Sequence, residues 1–318
     1  MNEFELPLII MPEKAGNGNP QSLADSLLDE SEDWREKLWL HGALLFRGFE
    51  MTSAIELEKF ARGFSGSDLW NYRGGVSPRQ KLAGDVYTST EYPPHLTLGL
   101  HNELSYAPNF PRELYFCCAK APDQGGATTL GDSRRILKLI DPEVVHEFRQ
   151  KRVMYLRHLF SRDALVPSDA IYSWQAAFET TDLAVVEEYC EQHEISIERC
   201  ANGSLRLRQT CPATLIHPTT GEEVWFNQAS GFHPSELDAE TYQKLRSVLS
   251  EDQFRLNARF GTDEPLSVTA LDHIREVLRA ETVEVNWKTG DLLVVDNLLT
   301  THGRAPFSGA RQILLAMT

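Results

Sequence analysis

The chain has no CxxC pair: Cys117, Cys118, Cys190, Cys200 and Cys211 offer neither a thiolate metal site nor a disulfide framework. An odd count without framework spacing points to buried, reduced thiols. Cations are scarce, with 31 Lys and Arg against 46 Asp and Glu and a net charge of -15. Phosphate recognition needs a basic footprint, so nucleic acid is not an expected partner. Long apolar runs are missing as well. The N-terminal MNEFELPLIIMPEK has no basic region, and its apolar stretch is too short for a secretory signal or a membrane span. The expected location is therefore the cytoplasm. Internal repeats, low-complexity tracts and the HExxH helix of zinc hydrolases are absent too.

What is present is the composition of a globular protein, 42% hydrophobic and 24% charged over 318 residues. β-rich enzymes of this length fold as one unit, so residues 1–318 are expected to form one domain with helical insertions at about 165–195 and 236–280. MPEKAGNGNPQS reads as a loop, and SLADSLLDESEDWREKLWLHG as an amphipathic helix ending at Gly42, where the left-handed conformation costs least. ALLFRGF predicts a short buried strand and SAIELEKFARGF a second helix. Beyond Leu82 strand-like runs dominate: ELYFCCAK, GATTLGD, VMYLRHLF, SLRLRQT, TLIHP and EVWFNQ, then ETVEVNW, DLLVVDN and RQILLAM at the end. Helical periodicity interrupts them in DLAVVEEYCEQH, AETYQKLRSVLSEDQ and SVTALDHIREVLRA. The expected class is mainly β with flanking helices, a sandwich of jelly-roll type.

The chemistry concentrates in two segments. In LHNELSYAP an extended backbone would turn His101 and Glu103 to one face and Asn102 to the other. His302, in TTHGRAPFSGAR, could complete a two-histidine, one-carboxylate set of the kind that holds ferrous iron with adjacent open positions. HxE alone is a weak signal. Gly125 and Gly126 permit a tight turn before Thr128, and Arg311 follows His302 on the last strand. A guanidinium and a hydroxyl suit a carboxylate tail, although Thr128 alone would pass for a strand residue and Arg311 for a surface ion pair. Asn227, Gln228 and Arg304 are candidate substrate contacts, with buried hydrogen bonding or a salt bridge as the plainer roles. The YRGGVSPRQ segment is a candidate for the pocket mouth.

Taken together, the order HxE, GGxT, distal His and following Arg resembles the taurine dioxygenase (TauD/TfdA) superfamily, on its clavaminate synthase-like and syringomycin hydroxylase-like side. The matching stretches run from VYTSTEYPPHLTLGLHNELSYAPNFPRELYFCC through GGATTLGDSR and EVWFNQASGFHPSEL to GDLLVVDNLLTTHGRAPFSGARQILLAM. The resemblance implies a double-stranded β-helix, a distorted jelly roll. It implies Fe(II) on His101, Glu103 and His302, with 2-oxoglutarate chelating that iron and its far carboxylate on Thr128 and Arg311. O2 is the co-oxidant. Glu103 stands where much of the superfamily has Asp. Glutamate fits the clavaminate-like side and argues against halogenation, which needs a small non-coordinating residue there. The implied reaction is hydroxylation of an unactivated C–H bond in an amino acid or amino-acid-derived intermediate of specialised metabolism, including antibiotic biosynthesis. A peptidyl carrier protein is a second form of substrate delivery, and a homodimer is expected by analogy. Desaturation or cyclisation is the nearest alternative, and a non-catalytic metal-binding homologue the more distant one.

Overall fold

The computed structural model describes residues 5–13, 18–77, 79–90, 92–164, 172–250 and 253–318. Residues 14–17 of the expected N-terminal loop and 165–171 of the first expected insertion lie outside the described residues. Strands and helices are numbered below in chain order.

The larger sheet has seven strands in the order β1 (Leu8–Ile10), β2 (Ala43–Phe46), β16 (Leu292–Asp296), β6 (Glu113–Lys120), β19 (Gln312–Met317), β4 (Val86–Thr88) and β3 (Lys81–Ala83). Its central strands are apolar without alternation because both faces are covered. On one face Leu45, Phe116, Cys118, Leu293 and Leu315 enter the main core. On the other, Phe46, Tyr115, Cys117, Val294 and Leu314 meet the two N-terminal helices. The adjacent Cys117 and Cys118 thus point to opposite sides, both buried and free. Burial pushes each thiol up to about 12, which keeps it protonated and inert.

Those helices are α1 (Pro20–His41) and α2 (Ala54–Ser65). Asn19 caps α1 by accepting from the Ser22 amide, and Ser53 does the same for α2 through Glu56. Gly42 ends α1 at φ 77°, the left-handed turn read from the sequence. A side chain there would meet the Thr300 hydroxyl at 2.3 Å, so the cap also seats the helix on β17 (Thr300–Arg304).

A four-stranded sheet faces the larger one, in the order β15 (Val283–Val285), β8 (Thr128–Asp132), β17 and β5 (Leu98–His101). Leu130 and Val285 share the main core with Leu45 and Phe116 of the larger sheet. A second four-stranded sheet runs β10 (Ser196–Arg199), β11 (Leu205–Cys211), β9 (Val153–Leu159) and β14 (Leu256–Phe260). Short ribbons pair β12 (Thr214–Ile216) with β13 (Glu223–Trp225), and β7 (Gln124–Gly125) with β18 (Phe307–Ser308). Helices α3 (Ser133–Leu139) and α4 (Pro142–Lys151) follow β8. α5 (Trp174–Ala177) and α6 (Leu183–Gln192) precede β10. α7 (Ala229–Phe232), α8 (Ala239–Val248) and α9 (Val268–Ala280) surround β14. The stretch 236–280, expected to be helical, therefore also supplies a strand. LNARF is too short and too polar to advertise itself, and its pairing with β9 places Phe260 opposite Val153, more than a hundred positions earlier. Among the described residues no helix is long and apolar enough to cross a membrane.

Candidate metal centre and active-site cavity

β17 lies between β8 and β5, and this pairing brings the two chemical segments together. His302 is opposite His101 across the β17–β5 ladder, with the ring centroids 4.3 Å apart. A bulge between His302 and Arg304 breaks the register just beyond. Strand β5 ends at His101, and Glu103 sits in the following turn, where Leu104 takes φ 56°. The carboxylate therefore reaches the histidines from a turn rather than from a continuing strand, which differs from the simple alternation expected. The outcome for the side chains is the same: one ligand atom from each of His101, Glu103 and His302 lies within 4.8 Å of the others.

The turn is held by a side chain 194 positions away. Asn297 accepts from the Glu103 amide at 2.7 Å and donates to the Glu103 carbonyl at 3.0 Å and the Pro111 carbonyl at 2.8 Å. Asn102 faces away from the ligands, as alternation predicts, and donates to the Asn297 carbonyl at 2.7 Å. Asp296 accepts from the Leu298 and Leu299 amides and pairs with His217 at 3.0 Å, fixing the β16–β17 turn. The sequence DN between two apolar runs signals a turn. Nothing local signals that its Asn would clasp Glu103.

The donor set suits a divalent metal. His101 Nδ1 lies 2.9 Å from the Gly99 carbonyl, which fixes Nδ1–H as donor and leaves Nε2 with a free lone pair. Nε2 of His302 is 3.6 Å from Glu103 Oε2, close to the separation of about 3 Å that adjacent ligands have around an ion with bonds of about 2.1 Å. Burial, reinforced by His302, pushes His101 down to about 4, so its imidazole is neutral at physiological pH. Burial alone would raise the Glu103 carboxyl, but Arg79 and the two histidines reverse this and hold it well below the usual carboxylate range. Arg79 donates to Glu103 Oε2 at 2.6 Å, both side chains being buried, and its guanidinium lies 4.7 Å from the Tyr72 ring centre. Its segment was a candidate for the pocket mouth, but this contact to the carboxylate was not foreseen. Phe116 of the larger sheet covers the His302 ring at 5.3 Å.

Gly125 and Gly126 both have positive φ, 67° and 71°. A Cβ on Gly126 would lie 2.8 Å from Cγ of Pro122, 3.0 Å from Cβ of Phe307 and 3.2 Å from Cδ of Arg311, so the missing side chain leaves room for all three. Arg311 donates to the Gly126 carbonyl at 3.1 Å and the Ser89 hydroxyl at 3.3 Å. Among the described residues no carboxylate pairs with it, and burial, helped by Arg304, pushes it down to about 10. An anion there would relieve that cost. Thr128 is buried and its hydroxyl accepts from Trp287 Nε1 at 3.0 Å.

His101 and Glu103 open onto a cavity of about 560 Å³. Gln228 lines it, donating to the Asn102 carbonyl at 2.8 Å and the Ser105 hydroxyl at 3.1 Å. Asn227 turns its amide to the Ala213 carbonyl and accepts from the Ala229 amide. Arg304 donates to the carbonyls of Tyr92, Pro93 and Leu96, holding the loop ahead of β5. Of the three polar candidates, Gln228 is the one among the cavity-lining residues.

Two histidines and one carboxylate converging at the mouth of such a cavity define the site of a non-heme iron oxygenase. Residues 13–318 match the family described as taurine catabolism dioxygenase TauD, TfdA, and the chain belongs to that family. It is a 2-oxoglutarate-dependent non-heme iron oxygenase. The chain is 37% identical over 276 residues to the dapdiamide synthesis protein DdaC of Enterobacter agglomerans, covering 87% of this chain and 82% of that protein. It is 29% identical over 298 residues to a clavaminate synthase-like protein of Arabidopsis thaliana, covering 92% and 83% respectively. In structure it resembles PvcB of Pseudomonas aeruginosa, described as an Fe, alpha-ketoglutarate dependent oxygenase from an isonitrile synthetic pathway. The TM-score is 0.55 at 16% identity, covering 99% of this chain and 86% of that one, a likeness of fold.

Proposed function

We propose that this oxygenase hydroxylates an unactivated C–H bond of an amino acid or amino-acid-derived intermediate in specialised metabolism. The observation that carries the reading is the convergence of His101, Glu103 and His302, two of which line a cavity of about 560 Å³. The relative named for dapdiamide synthesis supports the metabolic setting. The two facing sheets are read as the distorted jelly roll of a double-stranded β-helix, forming one catalytic domain over residues 1–318 that works in the cytoplasm. Homodimerisation belongs to the same proposal, and delivery on a peptidyl carrier protein is the alternative to a free substrate.

His101, Glu103 and His302 would hold Fe(II), and Arg311 with Thr128 the far carboxylate of 2-oxoglutarate. Held there, the iron and the keto acid would supply O2 activation, with O2 as the oxidant and 2-oxoglutarate giving up two electrons as it is converted to succinate and CO2. The chain's own part is positioning. The Gly99 carbonyl aims the His101 ring, Asn297 clamps the backbone of Glu103, and Arg79 keeps its carboxylate ionised. Phe116 shields His302 from water. Gln228, anchored on the turn that bears Glu103, presents its side chain to substrate.

The test is succinate release from 2-oxoglutarate across a panel of amino acids, with the mass of each product recorded. A gain of one oxygen is the expected result. A loss of two hydrogens would indicate desaturation or ring closure, and no stimulation by any amino acid, free or carrier-bound, would overturn the substrate class.

A further inference from the structure

The cavity in front of the metal centre has a second wall, made by β14, α7 and α9, and its charges are unequally satisfied. Arg275 is neutralised: Glu236 lies 2.6 Å from it and Asp272 2.7 Å, and it also donates to the Ser230 carbonyl. Both acids that line this wall are thus engaged by one arginine. Arg255, just before β14, also lines the cavity. Among the described residues no carboxylate lies within ion-pair distance of its guanidinium. Its company is aromatic, with the Tyr172 ring centre 4.9 Å away and the phenols of Tyr92 and Tyr106 acting on its charge. Burial lowers its basicity from the ordinary arginine value. A half-buried cation with no carboxylate partner among the described residues favours an incoming anion, and a guanidinium against an aromatic ring keeps its planar fork free for a carboxylate.

We propose that Arg255 is the receptor for a carboxylate of the substrate, so that the molecule oxidised is a free acid spanning the cavity from β14 to the metal wall. Tyr172 holds the fork flat, and Tyr92 and Tyr106 line the space around the bound acid. A volume of about 560 Å³ accommodates an acylated amino acid. An acyl group tethered as a thioester has lost the carboxylate that this site recognises, so the free acid, not the carrier-bound form, is the substrate. This deepens the proposed hydroxylase reading and rests on it.

The experiment needs no turnover. Anaerobic enzyme loaded with Fe(II) and 2-oxoglutarate is titrated by calorimetry with N-acetylamino acids and with the carboxamides of the same compounds. The best acids should bind at least about tenfold more tightly than their amides. Arg255→Met should reduce each acid to the level of its amide, and Arg255→Lys should restore part of the difference. Arg255→Gln serves the same purpose should the Met variant not fold. Acids and amides binding alike, no member of the panel binding, or a preference that survives in Arg255→Met would each overturn the assignment. Failure of the oxygenase reading looks different: the visible band of the Fe(II)–2-oxoglutarate chelate would be missing from the wild-type protein, while the acid preference could still be measured.

Discussion

The two walls of the cavity are built on opposite principles. On the metal wall, formed by β5, β8, β17 and the turn after β5, the turn that bears Glu103 is held by polar groups paired with one another or with backbone. Asn102, Asp296, Asn297 and His217 form buried hydrogen bonds that tie the Glu103 turn to the turn ahead of β17. On the substrate wall, Arg255 has no carboxylate partner among the described residues, and Tyr106 and Phe232 present rings. A wall that must hold three donor atoms in fixed relation needs its own hydrogen bonds satisfied internally. A wall that must receive a ligand keeps one interaction for it.

The largest expected effect breaks the metal wall. Glu103→Ala should lower substrate-coupled succinate formation by at least about a thousandfold and abolish Fe(II) binding. It also strands Arg79 as a buried charge, so stability should fall by about 3–5 kcal/mol in denaturant titration. Turnover near the wild-type level would contradict the ligand assignment. Next, Arg311→Ala should raise the 2-oxoglutarate concentration for half-maximal rate by about 10–100-fold with little change in the melting temperature. An unchanged requirement would move the carboxylate partner elsewhere, to Arg304 first. Asn297→Ala sharpens the comparison further. It removes both bonds to the Glu103 backbone, and Fe(II) affinity should drop by about 10–100-fold. A lower melting temperature with unaltered iron affinity would make Asn297 a purely structural residue.

The smallest effect compares the walls through pH. Burial pushes His101 on the metal wall down to about 4, and burial with Arg275 does the same to His233 beside the substrate wall. Both folded values lie below the unfolded value of about 6.5. Between pH 6.5 and about 4 the unfolded chain therefore binds protons that the folded chain refuses, and stability falls as pH falls across that window. Denaturant midpoints of the metal-free protein should show this slope, and His233→Gln should remove its share. A midpoint flat across the window would contradict the burial of both rings.

The clustering of His101, Glu103 and His302 was legible in the sequence because these residue types at these spacings suit few other roles. The apolar runs ALLF, ELYFCCAK, DLLVV and QILLAM also declared the larger sheet, since strands buried on both faces need no alternation. What stayed hidden depends on distant partners. Arg79 reaches Glu103 from a polar loop that looks like any other, and Asn297 clasps a turn encoded 194 positions earlier. β14 was hidden by its helical flanks, and with it Arg255, which has no carboxylate beside it among the described residues. Asn227 and Arg304 carried the same polar signal as Gln228, but of the three Gln228 is the one among the cavity-lining residues.

The most direct measurement is an anaerobic titration of the metal-free protein with Fe(II) and 2-oxoglutarate, followed in the visible spectrum. A metal-to-ligand charge-transfer band should grow to saturation at one iron per chain and be lost in Glu103→Ala. No band in the wild-type protein, or an undiminished band in that variant, would mean that His101, Glu103 and His302 do not together hold the iron.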